Sequence, residues 1–198
     1  MTNRIPSYLE YIKSITVTSG GSGYTQAPAV LIGAPDGDNP IQATATSVIT
    51  GGVITSIIIG EGGDGYHTLP IVKLVGNPTT VQDTSSSDST RDAGTFIGVS
   101  PDSTSGVGDN ATFDIVIDSN GDVTSITPNA TGNFYAQGDT VSFSGTSLGG
   151  QGTELDVTGT ITHIFGGQNG VLTAEIDIIS KSDVYSQPKI SQLIGGQL

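Results

Sequence analysis

Two near-copies of a sixteen-residue segment lie in the first half of this chain, and this repeat constrains the fold more than any other feature. Residues 15–30 read ITVTSGGSGYTQAPAV, and residues 57–72 read IIIGEGGDGYHTLPIV. The offset is 42 residues throughout, as the two tyrosines show (66 − 24). Repetition at a fixed spacing indicates a duplicated supersecondary unit.

Each copy predicts a strand, a glycine turn and a returning strand. Apolar residues alternate with other residues before the glycines, as at Ile15 and Val17, which places them on one face of a strand. The glycines allow a sharp bend because positive φ costs them little. We call these turns the corners. We assign to them Gly20, Gly21, Gly23 and Tyr24, then Gly62, Gly63, Gly65 and Tyr66, and, in a third copy, Gly132 and Tyr135.

The third copy is partial. Residues 123–126 read VTSI where residues 54–57 read ITSI, and GNFY at 132–135 follows at the place of GDGY at 63–66. This offset is 69 residues (135 − 66). The tyrosine persists while its neighbours change, which favours a structural role for the corner.

Short runs of Val, Ile and Thr, bounded by Gly, Asn, Asp and Pro, fill most of the chain. This pattern predicts an all-β fold of short antiparallel strands and hairpins in duplicated modules, sandwich or barrel-like, with little helix. We predict hairpins over 43–59, 111–127 and 155–179. Their turns fall at Gly51-Gly52, Asn120-Gly121 and Asn169-Gly170, which are favourable dipeptides for tight turns.

Composition divides the chain into five segments. An N-terminal segment (1–13) precedes a first module (14–78), and a Ser/Asp-rich stretch (79–94) reads as an exposed loop or linker. A second module (95–180) precedes a C-terminal segment (181–198). The last segment reads either as a frayed tail or as a docking arm that hides one helical apolar face on a neighbour. That face would contain Ile190, Leu193, Ile194 and Leu198.

The charge balance excludes several partners. Six Lys and Arg residues stand against 19 Asp and Glu, for a net charge of −13 among 198 residues. Such a surface repels phosphate backbones and anionic membranes, so we expect neither nucleic-acid nor membrane binding. There is no cysteine, and no apolar run reaches the ~18 residues of a membrane span.

Several motifs suggest chemistry, but a structural interpretation is favoured for each. Residues 60–65 fit G-x-G-x-x-G, yet Pro70 follows too soon for the helix that a dinucleotide site needs. Asp118 and Asp122 flank a hairpin turn whose spacing departs from a calcium-binding loop. His67 and His163 lack partners at metal-ligand spacing. Tyr24, Tyr66 and Tyr135 could stack on sugars, but their fixed place in the corner favours burial.

The phrase I-x-V-x-x-G-G-x-G-Y-x-x-x-P-x-V resembles repeats in virion structural proteins of large contractile-tailed bacteriophages, including those that infect marine cyanobacteria. The segment from Lys189 to Ile194, with Gln197 and Leu198, looks like a segment found near the start of some tail-associated proteins of the same phages. The resemblance implies a non-enzymatic virion component without cofactors, a homo-oligomer that contacts other virion proteins. It implies no catalytic residues.

Within that resemblance a tail or baseplate position is favoured over a capsid-decorating one. A different class stays open as well, a carbohydrate-binding adhesin with or without calcium, which rests on the three corner tyrosines and the acidic turns.

Overall fold

Strands form nearly all of the regular structure, so the predicted all-β class is confirmed. The structure, a computed structural model, describes residues 10–37, 39–165, 172–180 and 190–194. In those ranges the one helical element is a 3-10 turn, Gly145–Leu148, and no helix is long and apolar enough to cross a membrane. The strands are β1 (Glu10–Ser19), β2 (Ala29–Ile32), β3 (Thr44–Thr50), β4 (Val53–Glu61), β5 (Val72–Gly76), β6 (Pro78–Asp83), β7 (Gly94–Val99), β8 (Ser103–Thr104), β9 (Asp109–Ile117), β10 (Val123–Asn133), β11 (Tyr135–Ala136), β12 (Thr140–Phe143), β13 (Val157–Ile164), β14 (Leu172–Ser180) and β15 (Ile190–Ile194).

The chain divides into two compact units, and the boundary between them falls between Leu74 and Val75, within β5. The first unit contains everything up to Leu74 and also takes in β14 and β15. The second unit runs from Val75 to β13. The predicted modules, 14–78 and 95–180, differ from these units because β14 joins the first unit by pairing with β1, far away in sequence.

The predicted loop at 79–94 is wrong at both ends. Its first residues belong to β6, which pairs along β13 from Gly159↔Asp83 to Ile164↔Pro78, and Gly94 begins β7. Threonine and valine are β-branched and suit a strand even where a segment is poor in large apolar residues. The loop that remains runs from 84 to 93.

In the first unit the strand order is β5-β2-β3-β4-β1-β14-β15, with antiparallel pairing between the neighbours whose register is known. The β3–β4 hairpin confirms the prediction: Thr50 pairs with Val53, and the turn residues Gly51 and Gly52 have φ of 59° and 77°. The core of the first unit includes Ile12, Ile15, Ile32, Ile54, Ile57, Val72, Leu74 and Ile176.

The two full copies of the repeat meet across β1 and β4 as a pseudo-twofold pair. Ile15 pairs with its own counterpart Ile57. On one side Ile54 N–H donates to Gly20 O (3.0 Å), and on the other Ile12 N–H donates to Gly62 O (2.8 Å). Ile54 and Gly62 are the equivalents of Ile12 and Gly20, 42 positions further along the chain, so the two hydrogen bonds correspond to each other. The duplicated segments therefore pack as an isologous dimer does, with residue i contacting j and j contacting i.

The second unit is a sandwich of two antiparallel sheets, β10-β9-β7 and β6-β13-β12-β8. Phe113 of β9 and Phe143 of β12 are both fully buried, and their ring centroids lie 5.6 Å apart in an edge-to-face contact. Such contacts between inner faces fill a sandwich core. The predicted 111–127 hairpin is confirmed, since Val123 pairs with Ile117 across the Asn120-Gly121 turn.

Two expectations about the last third of the chain are wrong. The 155–179 hairpin does not form: β13 pairs with β12 and β6, whereas β14 pairs with β1 and β15. The expected helical face is absent over residues 190–194, which form strand β15 along β14 of the same chain, with Ile190 opposite Ile176. Backbone pairing to an available strand outweighs a helical pattern that the following glycine pair already weakens. Leu198 and the 169–170 turn lie outside the described residues.

Candidate functional site

The second corner shows why the phrase needs its glycines. Gly63 and Gly65 have φ of 71° and 79°, a conformation that favours glycine. Between them Asp64 forms a bridge with Ile41, in which each backbone N–H donates to the other carbonyl (2.9 and 3.1 Å). A Cβ at Gly63 would lie 2.8 Å from the backbone nitrogen of Ala43. The corner therefore closes tightly onto the strand before it.

The tyrosine completes this corner with a hydrogen bond. Its hydroxyl oxygen accepts from the buried backbone N–H of Ala43 at 2.9 Å and from Nε2 of Gln42 at 3.1 Å. The ring of Tyr66 is only 1% exposed. The side chain thus serves as an acceptor for an amide at the start of β3.

The third corner repeats this geometry although Thr131, Asn133 and Phe134 stand at the places of Gly62, Asp64 and Gly65. Gly132 and Phe134 have φ of 52° and 60°, and Asn133 pairs with Asp109 as Asp64 pairs with Ile41. Tyr135 forms a hydrogen bond with the backbone of Ala111. Phe134, half-exposed, adopts the left-handed conformation that glycine adopts in the other two copies.

The first corner keeps the same backbone. Gly21 and Gly23 have φ of 62° and 79°, and Tyr24 N–H donates to Gly52 O at 3.0 Å. Tyr24 is 9% exposed, and burial raises the pKa of its hydroxyl. All three corners therefore share the sign of φ at the same two positions.

Burial of the corner tyrosines bears on the carbohydrate alternative. Tyr66 and Tyr135 are each 1% exposed, so their rings offer no face to a sugar. The pKa of the Tyr135 hydroxyl is raised, mainly by burial. The hydrogen bond with the Ala111 backbone opposes this change, and the nearby carboxylates of Asp109 and Asp139 add to it. The structure removes these rings as candidates for stacking.

The carboxylates of Asp118 and Asp36 are occupied by hydrogen bonds from backbone N–H and hydroxyl groups. Oδ1 of Asp118 accepts from the N–H groups of Asn120 (2.8 Å) and Asp122 (3.0 Å), which lowers its pKa. Asp36 accepts from the Thr68 hydroxyl and from the N–H groups of His67 and Thr68, and its pKa is lowered by these bonds, the hydroxyl first. Asp118 thus stabilises its own turn, whereas Asp36 holds the backbone that follows the second corner, and the oxygens of both are occupied by protein donors.

The remaining motifs do not assemble a site. No helix follows Gly65, so the G-x-G-x-x-G match lacks the helix N-terminus that binds pyrophosphate. His67 lies against Gly37 in the first unit, whereas His163 lies on β13 in the second. Within the described ranges, no group of three or more His, Cys, Asp or Glu is arranged to hold a metal.

Sequence reasoning missed a buried arginine in the 84–93 loop. Arg91 is 6% exposed and donates to three backbone carbonyls, those of Gly121, Leu155 and Asp156, each at 3.1 Å. Asp88 accepts from Leu155 N–H at 2.6 Å. The only sequence signal was a single cation among Ser, Thr and Asp. This anchor fixes the loop to the second unit.

Comparison with family models, curated proteins and solved structures found no match for this chain.

Proposed function

We propose that this chain is a non-enzymatic structural component of a bacteriophage particle, which acts through contacts with other subunits. The observation that carries the proposal is the conserved backbone of the three corners. Side-chain chemistry at the middle position changes from Ser22 to Asp64 to Asn133, while positive φ on both sides and the buried tyrosine persist. A site that binds or reacts would hold its chemistry constant, whereas a scaffold holds its geometry.

The phage assignment within this proposal rests on the resemblance of the repeated phrase to contractile-tailed phage proteins. The acidic surface agrees with it, because high like charge keeps a protein soluble at the concentrations that assembly requires. We propose a position in the tail or baseplate. The alternative position is the outer capsid, as a decoration protein.

The carbohydrate-binding adhesin loses the observations that motivated it. Its tyrosines are buried and its acidic turns are occupied by backbone N–H groups. We do not retain it as a second function.

Electron microscopy of particles that encode this chain tests the proposal. Antibodies raised against the recombinant protein should label purified particles, and density matching the second-unit sandwich should appear in the tail. Label on the head would move the protein to the capsid. Absence of the chain from purified particles, judged by mass spectrometry, would overturn the whole proposal.

A further inference from the structure

A groove of about 540 Å³ opens in the first unit beside the second corner. Its lining includes Tyr11 of β1, Ile41 and Gln42 before β3, and Glu61 and Asp64 on either side of the corner glycines. A volume of this size falls in the range of small-ligand and side-chain pockets. Residues 61–64 of the lining belong to the second corner and to the G-x-G-x-x-G match, but neither of those motifs accounts for a ligand in the groove.

The two carboxylates of the groove differ from most others in the molecule. Asp88 and Asp118 accept hydrogen bonds from backbone N–H groups of their own turns, and Asp36 accepts one from the backbone N–H of His67, further along the chain. Among the residues that the structure describes, by contrast, the carboxylates of Glu61 and Asp64 have no hydrogen-bond or ion-pair partner. Their charge is available to a ligand.

The side-chain amide of Gln42 also favours a ligand that donates hydrogen bonds. Its Nε2 donates to Ile32 O (2.9 Å) and to the Tyr66 hydroxyl (3.1 Å), so its donor end is committed. Its Oε1 accepts no bond from any described residue. The side-chain oxygens that Gln42, Glu61 and Asp64 offer to a ligand are therefore hydrogen-bond acceptors.

Because these side-chain oxygens are hydrogen-bond acceptors, the groove favours a ligand that carries hydrogen-bond donors. The arginine guanidinium is planar, always charged, and carries five N–H donors and no acceptor. The aromatic ring of Tyr11, which packs against Gly62, offers a surface on which such a plane stacks. Ile41, 58% exposed, offers apolar surface for the methylene stem.

We propose that this groove receives an arginine side chain of another protein, and that the contact is one of the subunit contacts of the function proposed above. It rests on that function for the identity of the partner, but not for the binding chemistry. The net charge of −13 steers a basic partner toward the molecule.

Binding is tested with the full chain and two tripeptide amides, acetyl-Gly-Arg-Gly and its uncharged citrulline analogue. In ¹⁵N NMR titrations the arginine peptide should shift the amide signals of Gly62 and Gly63 saturably, and the citrulline peptide should bind about tenfold more weakly or not at all. The double variant E61Q/D64N should lose the effect. The control D92N/D122N, which removes the same charge from carboxylates of the second unit, should keep it.

Three outcomes would overturn the groove proposal. They are equal binding of both peptides, equal loss in both double variants, and shifts at residues 61–64 from a neutral glucan oligomer instead of the arginine peptide. Incorporation into particles separates this proposal from the proposed function. If the wild type is in the particle and E61Q/D64N enters equally well, the groove proposal fails alone; if the wild type is absent, the function fails.

Discussion

At the scale of single residues, the tyrosine of the second corner matters for its oxygen as much as for its ring. The buried N–H of Ala43 donates to the hydroxyl of Tyr66. A buried amide N–H that lacks an acceptor pays the full free-energy penalty of losing its bound water. The corner therefore depends on a polar atom that composition alone would assign to the surface.

We predict that Tyr66→Phe lowers the free energy of unfolding by about 1–3 kcal/mol, because it leaves the Ala43 N–H without its acceptor. Urea denaturation measures the change. Tyr11→Phe is the control, since Tyr11 is partly exposed and its hydroxyl has no hydrogen-bond partner among the described residues, and the change in stability should stay within about 0.5 kcal/mol. Equal effects of the two variants would contradict the role of the hydroxyl.

Phe134 is strained where its counterparts are not. Its φ of 60° falls at the place of Gly23 and Gly65, and a side chain in this region costs about 1–2 kcal/mol. We predict that Phe134→Gly stabilises the protein by about 0.5–1 kcal/mol, because the relief of strain exceeds the added freedom of the unfolded chain. Phe134→Ala keeps the strained φ and should not stabilise. Calorimetry distinguishes the two, and an equal gain from alanine would refute the explanation.

At the scale of elements, turn chemistry was predictable and distant pairing was not. Gly51-Gly52 and Asn120-Gly121 each define a hairpin from adjacent residues, and both hairpins form. The partner of β14 could not be read in the same way, because β1 lies at the other end of the chain and no local signal selects it. Local geometry encodes tight turns, whereas the pairing of distant strands is decided by which faces can be buried together.

The 84–93 loop is the element whose structure differs most from what its composition predicts. Its Ser- and Asp-rich composition predicts an exposed linker, yet Arg91 places a buried charge on three carbonyls. The turn at Gly121 has no room for a Cβ against Asp88 and Ser89. The loop is therefore packed against the 118–122 turn.

We predict that Arg91→Met lowers the free energy of unfolding by about 3 kcal/mol, because it removes three charge-assisted hydrogen bonds from buried or half-buried carbonyls. Lys13→Met is the matched control, since Lys13 pairs only loosely with Asp177 at 3.7 Å on the surface and should change stability by about 0.5 kcal/mol or less. Hydrogen exchange at 118–122 should accelerate in the Arg91 variant. Unchanged protection there would mean that the loop is not anchored by this side chain.

At the scale of the whole molecule, carboxylates that accept hydrogen bonds from hydroxyl and backbone N–H groups make the fold sensitive to acid. The pKa values of Asp36, Asp102, Asp118 and Glu154 are lowered by such bonds. Bonds from the Thr90 hydroxyl, then from Leu155 N–H and Thr90 N–H, and the nearby Arg91 charge hold the pKa of Asp88 at about 2. A group whose pKa is lower in the folded state stabilises the fold above its unfolded pKa of about 4.

For Asp88 we therefore expect a contribution that is present above about pH 4 and is lost as the pH falls toward about 2. Asp88→Asn should flatten the dependence of stability on pH in this window, whereas Asp92→Asn, at an exposed neighbour, should leave the slope unchanged. Urea midpoints measured at several acidic pH values give both slopes. Parallel slopes for the wild type and Asp88→Asn would exclude the Asp88 bonds as a source of acid sensitivity.

The sequence by itself determined the all-β class, the corners and the two glycine-turned hairpins, because φ preferences and alternation act over a few residues. Only the tertiary structure decided that the two copies face each other through Ile15 and Ile57, that β14 and β15 join the first unit, and that Arg91 is buried. Those choices depend on which surfaces exclude water together, and no local pattern contains that information. The repeated phrase specifies a bend, and the assembled fold decides what each bend closes against.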